Sequence, residues 1–196
     1  MIILFSILFL MFLVIAIYFC INRGFIIIKR VLIKYIGFSK NVDIPVDVYA
    51  IAYRAFSGNK KIESIVIPSG LNIIYDEAFR DCENLKKIDF VGQGINQINP
   101  YAFTGCTNLK EIKLPIVMVL GLAPFSFSGC TGLEKIILPE FFFVDNTIPS
   151  GAFADCINLK EVVISKNIKY ISENAFIGCD NLEKITEMTE TELKGL

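Results

Sequence analysis

Cys82, Cys106, Cys130, Cys156 and Cys179 follow one another at intervals of 24, 24, 26 and 23 residues. Each stands three residues after a phenylalanine, as in YAFTGCTNL at residues 101–109. A thiol beside a small residue and an aromatic has the makings of a redox site, a metal corner or a nucleophile. Zinc sites need ligands that converge on one point, usually in C-x2-C clusters. Here the cysteines form a line, and the chain has no histidine. A nucleophilic thiol needs a neighbouring base or cation to activate it, and these five lack one. General acid–base work without histidine would fall to carboxylate pairs, Lys, Tyr or Cys. No Gly-rich phosphate loop and no G-x-S-x-G elbow occurs. No catalytic, cofactor-binding or metal-binding residue is therefore expected.

The thiols are one column of a longer internal repeat, which must be resolved before any site is read. The aromatic recurs at Phe56, Phe79, Phe103, Phe127, Phe153 and Phe176. The residue before it is Ala in five copies and Ser126 in the fourth. Five before it stand Ile51, Ile74, Ile98, Leu122, Ile148 and Ile171, and six after it Ile62, Leu85, Leu109, Leu133, Leu159 and Leu182. A unit of 23–26 residues cannot bury its own apolar face, but stacked on its neighbours it can. Each unit continues as L-x-x-I-x-I-P or a variant, for example LKEIKLP at 109–115. Alternating apolar residues indicate a short strand with one buried face, stopped by Pro68, Pro115 and Pro139. Strands from successive coils would pair in parallel about 4.8 Å apart. VDIP at 42–45 reads as the strand of a degenerate leading coil. Segments such as INQINPYAF (95–103) read as the return side, with a turn or short helical stretch around Ala-Phe.

This geometry assigns the thiols to packing. A strand-like spacing does not exclude disulfides between adjacent coils, but equivalent side chains point parallel and five is an odd number. Free Cys is among the most buried residue types. The Phe column has the same reading, a core stack with offset ring contacts. Two residues after each Phe stands Gly58, Gly105, Gly129 or Gly178, or else Asp81 or Asp155. These types tolerate positive φ, so a left-handed turn position is expected there.

The pattern L-x-x-I-x-I-P…I-x-x-x-A-F-x-G-C-x-x-L resembles the BspA-type leucine-rich repeat over residues 44–186. The resemblance implies a leucine-rich-repeat solenoid of about six coils, β-rich with short parallel strands. It also implies a microbial family often displayed on cell surfaces and associated with adhesion and protein binding. Departures from the pattern mark what is particular to this chain. Asn59 replaces Cys in the first copy, and extra residues occur around FFFVDN (141–146).

Two outward strand positions are left free by the motif. One reads Ser64, Lys87, Glu111, Lys135, Glu161, Lys184, alternating in sign after the first. Opposite charges on neighbouring strands favour pairing by roughly 0.2–1 kcal/mol, so this row has a structural explanation. The next reads Val66, Asp89, Lys113, Ile137, Val163, Thr186. Ile137 and Val163 form an apolar pair on a charged face. Concave solenoid faces usually bind the partner, so Val66, Asp89, Lys113, Ile137, Val163, Lys135 and Glu161 are candidates for partner binding. The alternative is that β-branched residues simply favour strands. Phe141 and Phe142 join the candidates, because four apolar residues in FFFV cannot all point inward. The loop is read either as an exposed contact or as a bulge packed back over the core.

Residues 2–21 carry no charge. Twenty residues at 1.5 Å rise span about 30 Å, the hydrocarbon thickness of a bilayer. No basic n-region or small-residue cleavage site marks a signal peptide, so residues 1–21 are read as an N-terminal transmembrane helix. Arg23, Lys29, Arg30, Lys34 and Lys40 carry all the charge of the first forty residues. On a helical projection they share one sector of about 140°, which suits a basic interfacial helix over 25–38 on anionic headgroups. The alternative for residues 22–41 is a flank running into a cap of the next domain. The solenoid is then 42–187 and the polar tail 188–196. With 19 − 5 = 14 basic and 20 acidic residues, positions 41–196 carry −6, which gives no electrostatic case for nucleic acid. The cations all follow the span, which favours a cytoplasmic solenoid. The family resemblance favours the cell surface.

Overall fold

The computed structural model describes residues 24–92, 94–138, 141–142 and 146–187. The expected span at 2–21 and the tail at 188–196 lie outside the described residues. Sixteen short strands and no helix occur among the described residues. In chain order they are β1 (Phe25–Ile28), β2 (Val31–Tyr35), β3 (Asn41–Asp43), β4 (Ala50–Ile51), β5 (Ser64–Ile67), β6 (Ile73–Ile74), β7 (Lys87–Phe90) and β8 (Gly94–Ile98). Then follow β9 (Glu111–Lys113), β10 (Val117–Leu122), β11 (Lys135–Ile137), β12 (Phe141–Phe142), β13 (Thr147–Ile148), β14 (Glu161–Ile164), β15 (Tyr170–Ile171) and β16 (Lys184–Glu187).

The L-x-x-I-x-I segments form one wall of the solenoid, as β3-β5-β7 and β9-β11-β14-β16. All these pairings are parallel and hold equivalent residues in register, such as Ile112, Ile136, Val162 and Ile185. Alternation does what it predicts: Ile65 and Ile67 are buried, while Ser64 and Val66 are half-exposed. The turns after β3 and β5 close with Val48 N–H to Pro45 O and Leu71 N–H to Pro68 O, both 3.0 Å. Proline fixes the leading φ of such a turn and needs no donor there.

The return side carries a second wall of short strands, ahead of the turn expected around Ala-Phe. Its order is β1-β2-β4-β6-β8-β10-β12, with β13-β15 beside it. Ile51, Ile74, Ile98 and Leu122 align across it. Several of these strands are two residues long, too short for alternation to show in the sequence. The extra residues of the fifth coil extend this wall: Phe141 and Phe142 pair with Val117 and Met118. The start of FFFVDN is therefore strand rather than bulge. The side chains of Phe141 and Phe142 and residues 143–145 lie outside the description. The Ala-Phe segment is a turn, closed in one coil by Cys106 N–H to Phe103 O at 3.2 Å.

The interfacial helix expected over 25–38 does not form. β1 and β2 make an antiparallel hairpin, and β2 pairs in parallel with β4. The reason is burial. Phe25, Leu32 and Tyr35 are all shielded by the first coil, and the Tyr35 ring stacks on Phe56 at 5.1 Å. Period-two spacing from Leu32, interrupted by a bulge, places these rings where a helix would scatter them. The hairpin thus closes the leading edge of the second wall.

Candidate functional site

The Phe column builds the core. Phe56, Phe79, Phe103, Phe127 and Phe153 are all essentially inaccessible. Successive ring centroids from Phe56 to Phe176 lie 4.6–5.7 Å apart with nearly parallel planes. Tyr35 and Phe25 prolong the stack at its leading end. Tyr35 does not stand out in the sequence because it is tyrosine, precedes Phe56 by 21 residues and lacks a following Cys.

The thiol column is built on the same turns. Each Sγ donates to the carbonyl of the Phe in the preceding coil: Cys82 to Phe56, Cys106 to Phe79, Cys130 to Phe103, Cys156 to Phe127 and Cys179 to Phe153, at 3.0–3.3 Å. The residue just before each Cys has positive φ, with Asp81 at 57° and Asp155 at 58°, and so does Gly58 before Asn59. In the first coil Asn59 takes the Cys position and instead caps its own turn, its Oδ1 accepting from the Lys61 and Ile62 amides. Burial pushes the Cys82 and Cys130 thiols up to about 12. Cys106 rises for the same reason. Cys156 rises through contact with the Cys179 sulfur and through burial. All five are free thiols.

A third column was not read from the sequence. Asn84, Asn108, Asn158 and Asn181 each donate Nδ2 to a carbonyl of the preceding coil at 2.6–2.8 Å. Its signal was present, since Asn recurs five residues after Phe. Gly132 interrupts it, because a Cβ there would stand 2.3 Å from Thr107 O.

The outward rows lie on the first wall. Glu161 is held between Lys184 Nζ at 3.0 Å and Lys135 Nζ at 3.4 Å. The Lys184 hydrogen bond, with help from Lys135, keeps its carboxyl below the usual range. A similar triad stands at the other end, Glu63 between Lys40 at 2.7 Å and Lys86 at 2.8 Å. Exposed pairs of this kind are worth little individually. In the second row Asp89 is ion-paired with Lys87 at 2.7 Å, Val66 and Ile137 are half-buried, and Lys113 is exposed. Val163 differs from expectation: it is 0% exposed. Its strand is flanked on both sides, by Ile137 and Thr186, and its carbonyl accepts the Leu138 amide at 2.9 Å. The expected exposed pair therefore reduces to Ile137 alone.

The wall is interrupted between β7 and β9, which are not hydrogen-bonded to each other. A small cleft of about 150 Å³ opens there, lined by Ile88, Asp89, Lys113 and Pro115 among others. It brings together two of the candidate partner-binding residues, Asp89 and Lys113. Among the described residues no group of three or more His, Cys, Asp or Glu gathers as a metal site.

Six copies of the BspA type leucine rich repeat region match the chain over residues 28–144 and 118–193. The chain belongs to the BspA-type leucine-rich-repeat family. Solved structures of bacterial leucine-rich-repeat proteins share the fold. The Treponema pallidum leucine-rich-repeat protein TpLRR is 27% identical, with a TM-score of 0.73 over 82% of this chain and 75% of that one. The pneumococcal vaccine antigen PcpA is 23% identical, with a TM-score of 0.73 over 88% of this chain and 43% of that one. A leucine-rich cell surface protein of Faecalibacterium prausnitzii is 24% identical, with a TM-score of 0.64 over 85% and 53%. No curated protein matches the chain. Leucine-rich-repeat proteins generally act as protein-interaction modules.

Proposed function

We propose that this BspA-type protein is a single-pass membrane-anchored module that binds a protein partner through the outward face of its first strand wall. The observation that carries this reading is the cleft between β7 and β9, where Asp89 and Lys113 flank an interruption of an otherwise regular ladder. Residues 2–21 supply the anchor through their uncharged length. Val66, Ile137, Lys135 and Glu161 extend the binding face on either side. A photo-crosslinking residue at Lys113 in membranes from expressing cells tests it, with Tyr170 on the opposite wall as the control position. A discrete adduct at 113 that disappears in Asp89→Lys supports the reading. Equal adducts at both positions, or none at 113, sink it.

The family's association with adhesion supports a second reading, a surface-displayed protein that binds host or matrix components. The cations that follow the span favour a cytoplasmic solenoid instead. Protease treatment of intact cells separates the two, since full protection of the solenoid removes the surface reading.

A further inference from the structure

The outward face of the leading hairpin is unusual for a solenoid edge. Ile26 is 37% exposed, Ile28 57% and Ile33 39%. Ile26 stands opposite Lys34 and Ile28 opposite Val31, with Ile33 at the bulge between them. Lys29 and Arg30 form the tip. Among the described residues β1 is also the edge of its sheet, and an uncovered apolar edge strand is a hazard that proteins normally blunt or cover.

Among the described residues, the three cations of this face have no carboxylate partner. Arg30 Nε donates to the Asp47 carbonyl at 2.9 Å, and its guanidinium lies over the Tyr49 ring. Lys34 Nζ donates to the Arg54 carbonyl at 3.0 Å. These contacts are to neutral groups, and no ion pair involves Lys29, Arg30 or Lys34 among the described residues. Most cations of the neighbouring coils differ: Lys40, Arg54, Lys60, Arg80, Lys86 and Lys87 are each paired with a carboxylate, while Lys61 lies over the Phe38 ring. A face of isoleucines ringed by unpaired cations is complementary to an anionic lipid surface, where acyl boundary and phosphate lie together.

Chain length places the hairpin there. Five residue steps separate Ile21 from Ile26, a reach of at most about 17 Å. The headgroup layer on one side of a bilayer is itself about 5–8 Å thick.

We infer that the β1–β2 hairpin is a lipid-contacting foot, seating Ile26, Ile28 and Ile33 at the headgroup boundary of an anionic bilayer while Lys29, Arg30 and Lys34 engage its net negatively charged headgroups. This rests on residues 2–21 being the anchor. It adds that the solenoid is oriented by its leading edge rather than hung from a loose tether.

The chain has no tryptophan, so one introduced indole reports alone. Full-length Ile28→Trp is reconstituted into phosphatidylcholine vesicles with and without phosphatidylserine. Ile177→Trp, at the far end of the solenoid, serves as control. Brominated lipid should quench the indole at position 28 strongly in the phosphatidylserine vesicles and weakly without it. The indole at position 177 should stay unquenched in both. Adding Lys29→Glu, Arg30→Glu and Lys34→Glu to the Ile28→Trp protein should abolish the difference between the two lipids. Carbonate extraction reports the anchor separately. Carbonate-resistant Ile28→Trp protein with an unquenched indole overturns the foot and leaves the anchor standing. Carbonate-extractable protein with an unquenched indole overturns both. Equal quenching in the two lipids overturns the role of attraction to a net anionic headgroup layer. Blue-shifted emission from position 28 in lipid-free detergent, with a dimeric mass, overturns the foot in favour of a second copy covering the same edge.

Discussion

The Cys106 thiol donates to the carbonyl of Phe79, one coil earlier, at 3.3 Å. That carbonyl also accepts the amide of Cys82 at 3.2 Å. The repeating cysteine is thus a stitch between consecutive coils, and no exposed reactive group is needed to explain it. Cys106→Ala should destabilise the fold by about 1–2 kcal/mol. The loss stays at that level because Phe79 O keeps one donor. Urea denaturation measures it, with an unchanged m-value as the sign that only stability moved.

Burial of the same column predicts a weakness at high pH. An unfolded thiol loses its proton near pH 9, whereas Cys82 and Cys130 in the fold hold theirs to about 12. The folded state therefore binds more protons between those values, and rising pH favours unfolding. The stabilisation is complete below pH 9 and is lost through the window from 9 to 12, at about 1.4 kcal/mol per pH unit for each such thiol. Melting temperature against pH should fall steeply across that window. Cys130→Ala should flatten the fall. An identical slope in wild type and variant contradicts the account.

Gly151 and Phe125 give a steric prediction. A Cβ on Gly151 would stand 2.2 Å from the Phe125 ring, which itself stacks on Tyr101 at 5.3 Å. Gly58 shares the left-handed φ, but a Cβ there meets nothing within 4 Å. Gly58→Ala should cost only the backbone term, roughly 1–2 kcal/mol. Gly151→Ala should cost that plus overpacking, about 3 kcal/mol together. Combining Gly151→Ala with Phe125→Ala should recover part of the loss in a double-mutant cycle. Equal costs at the two glycines would falsify the ring contact as the cause.

The solenoid was legible because stacking forces each coil to reuse the same residue type at the same phase. Phe, Cys and the Ile of the return strand could each be placed by counting. Where a residue answers to something other than its own coil, counting fails. Val163 follows the outward phase, yet between its flanking strands it has no exposure. Most return strands are only two residues long, so alternation does not develop in them. The hairpin reads as a helix because its bulge shifts the two-residue period, and the shifted pattern spreads the cations into one helical sector. Its turn is also written Lys-Arg, not the Asn-Gly or Asp-Gly by which such turns are recognised.

That turn supplies the last prediction. Lys29 and Arg30 lie at φ 49° and 67° between strands joined by a two-residue loop. Tight hairpins of this hand require positive φ at both central positions, which Asn and Gly adopt readily and Lys and Arg do not. Lys29→Asn/Arg30→Gly should therefore stabilise the protein by about 1 kcal/mol, read as a higher urea midpoint. The same double change removes two of the three cations of the proposed lipid foot. Full-length protein carrying it should be more stable yet discriminate less between phosphatidylserine and phosphatidylcholine vesicles. Stability and lipid preference moving in opposite directions would mean that the turn keeps a strained sequence for its charge. A fall in the urea midpoint would mean that Lys29 and Arg30 stabilise the fold itself, Arg30 through its bond to the Asp47 carbonyl.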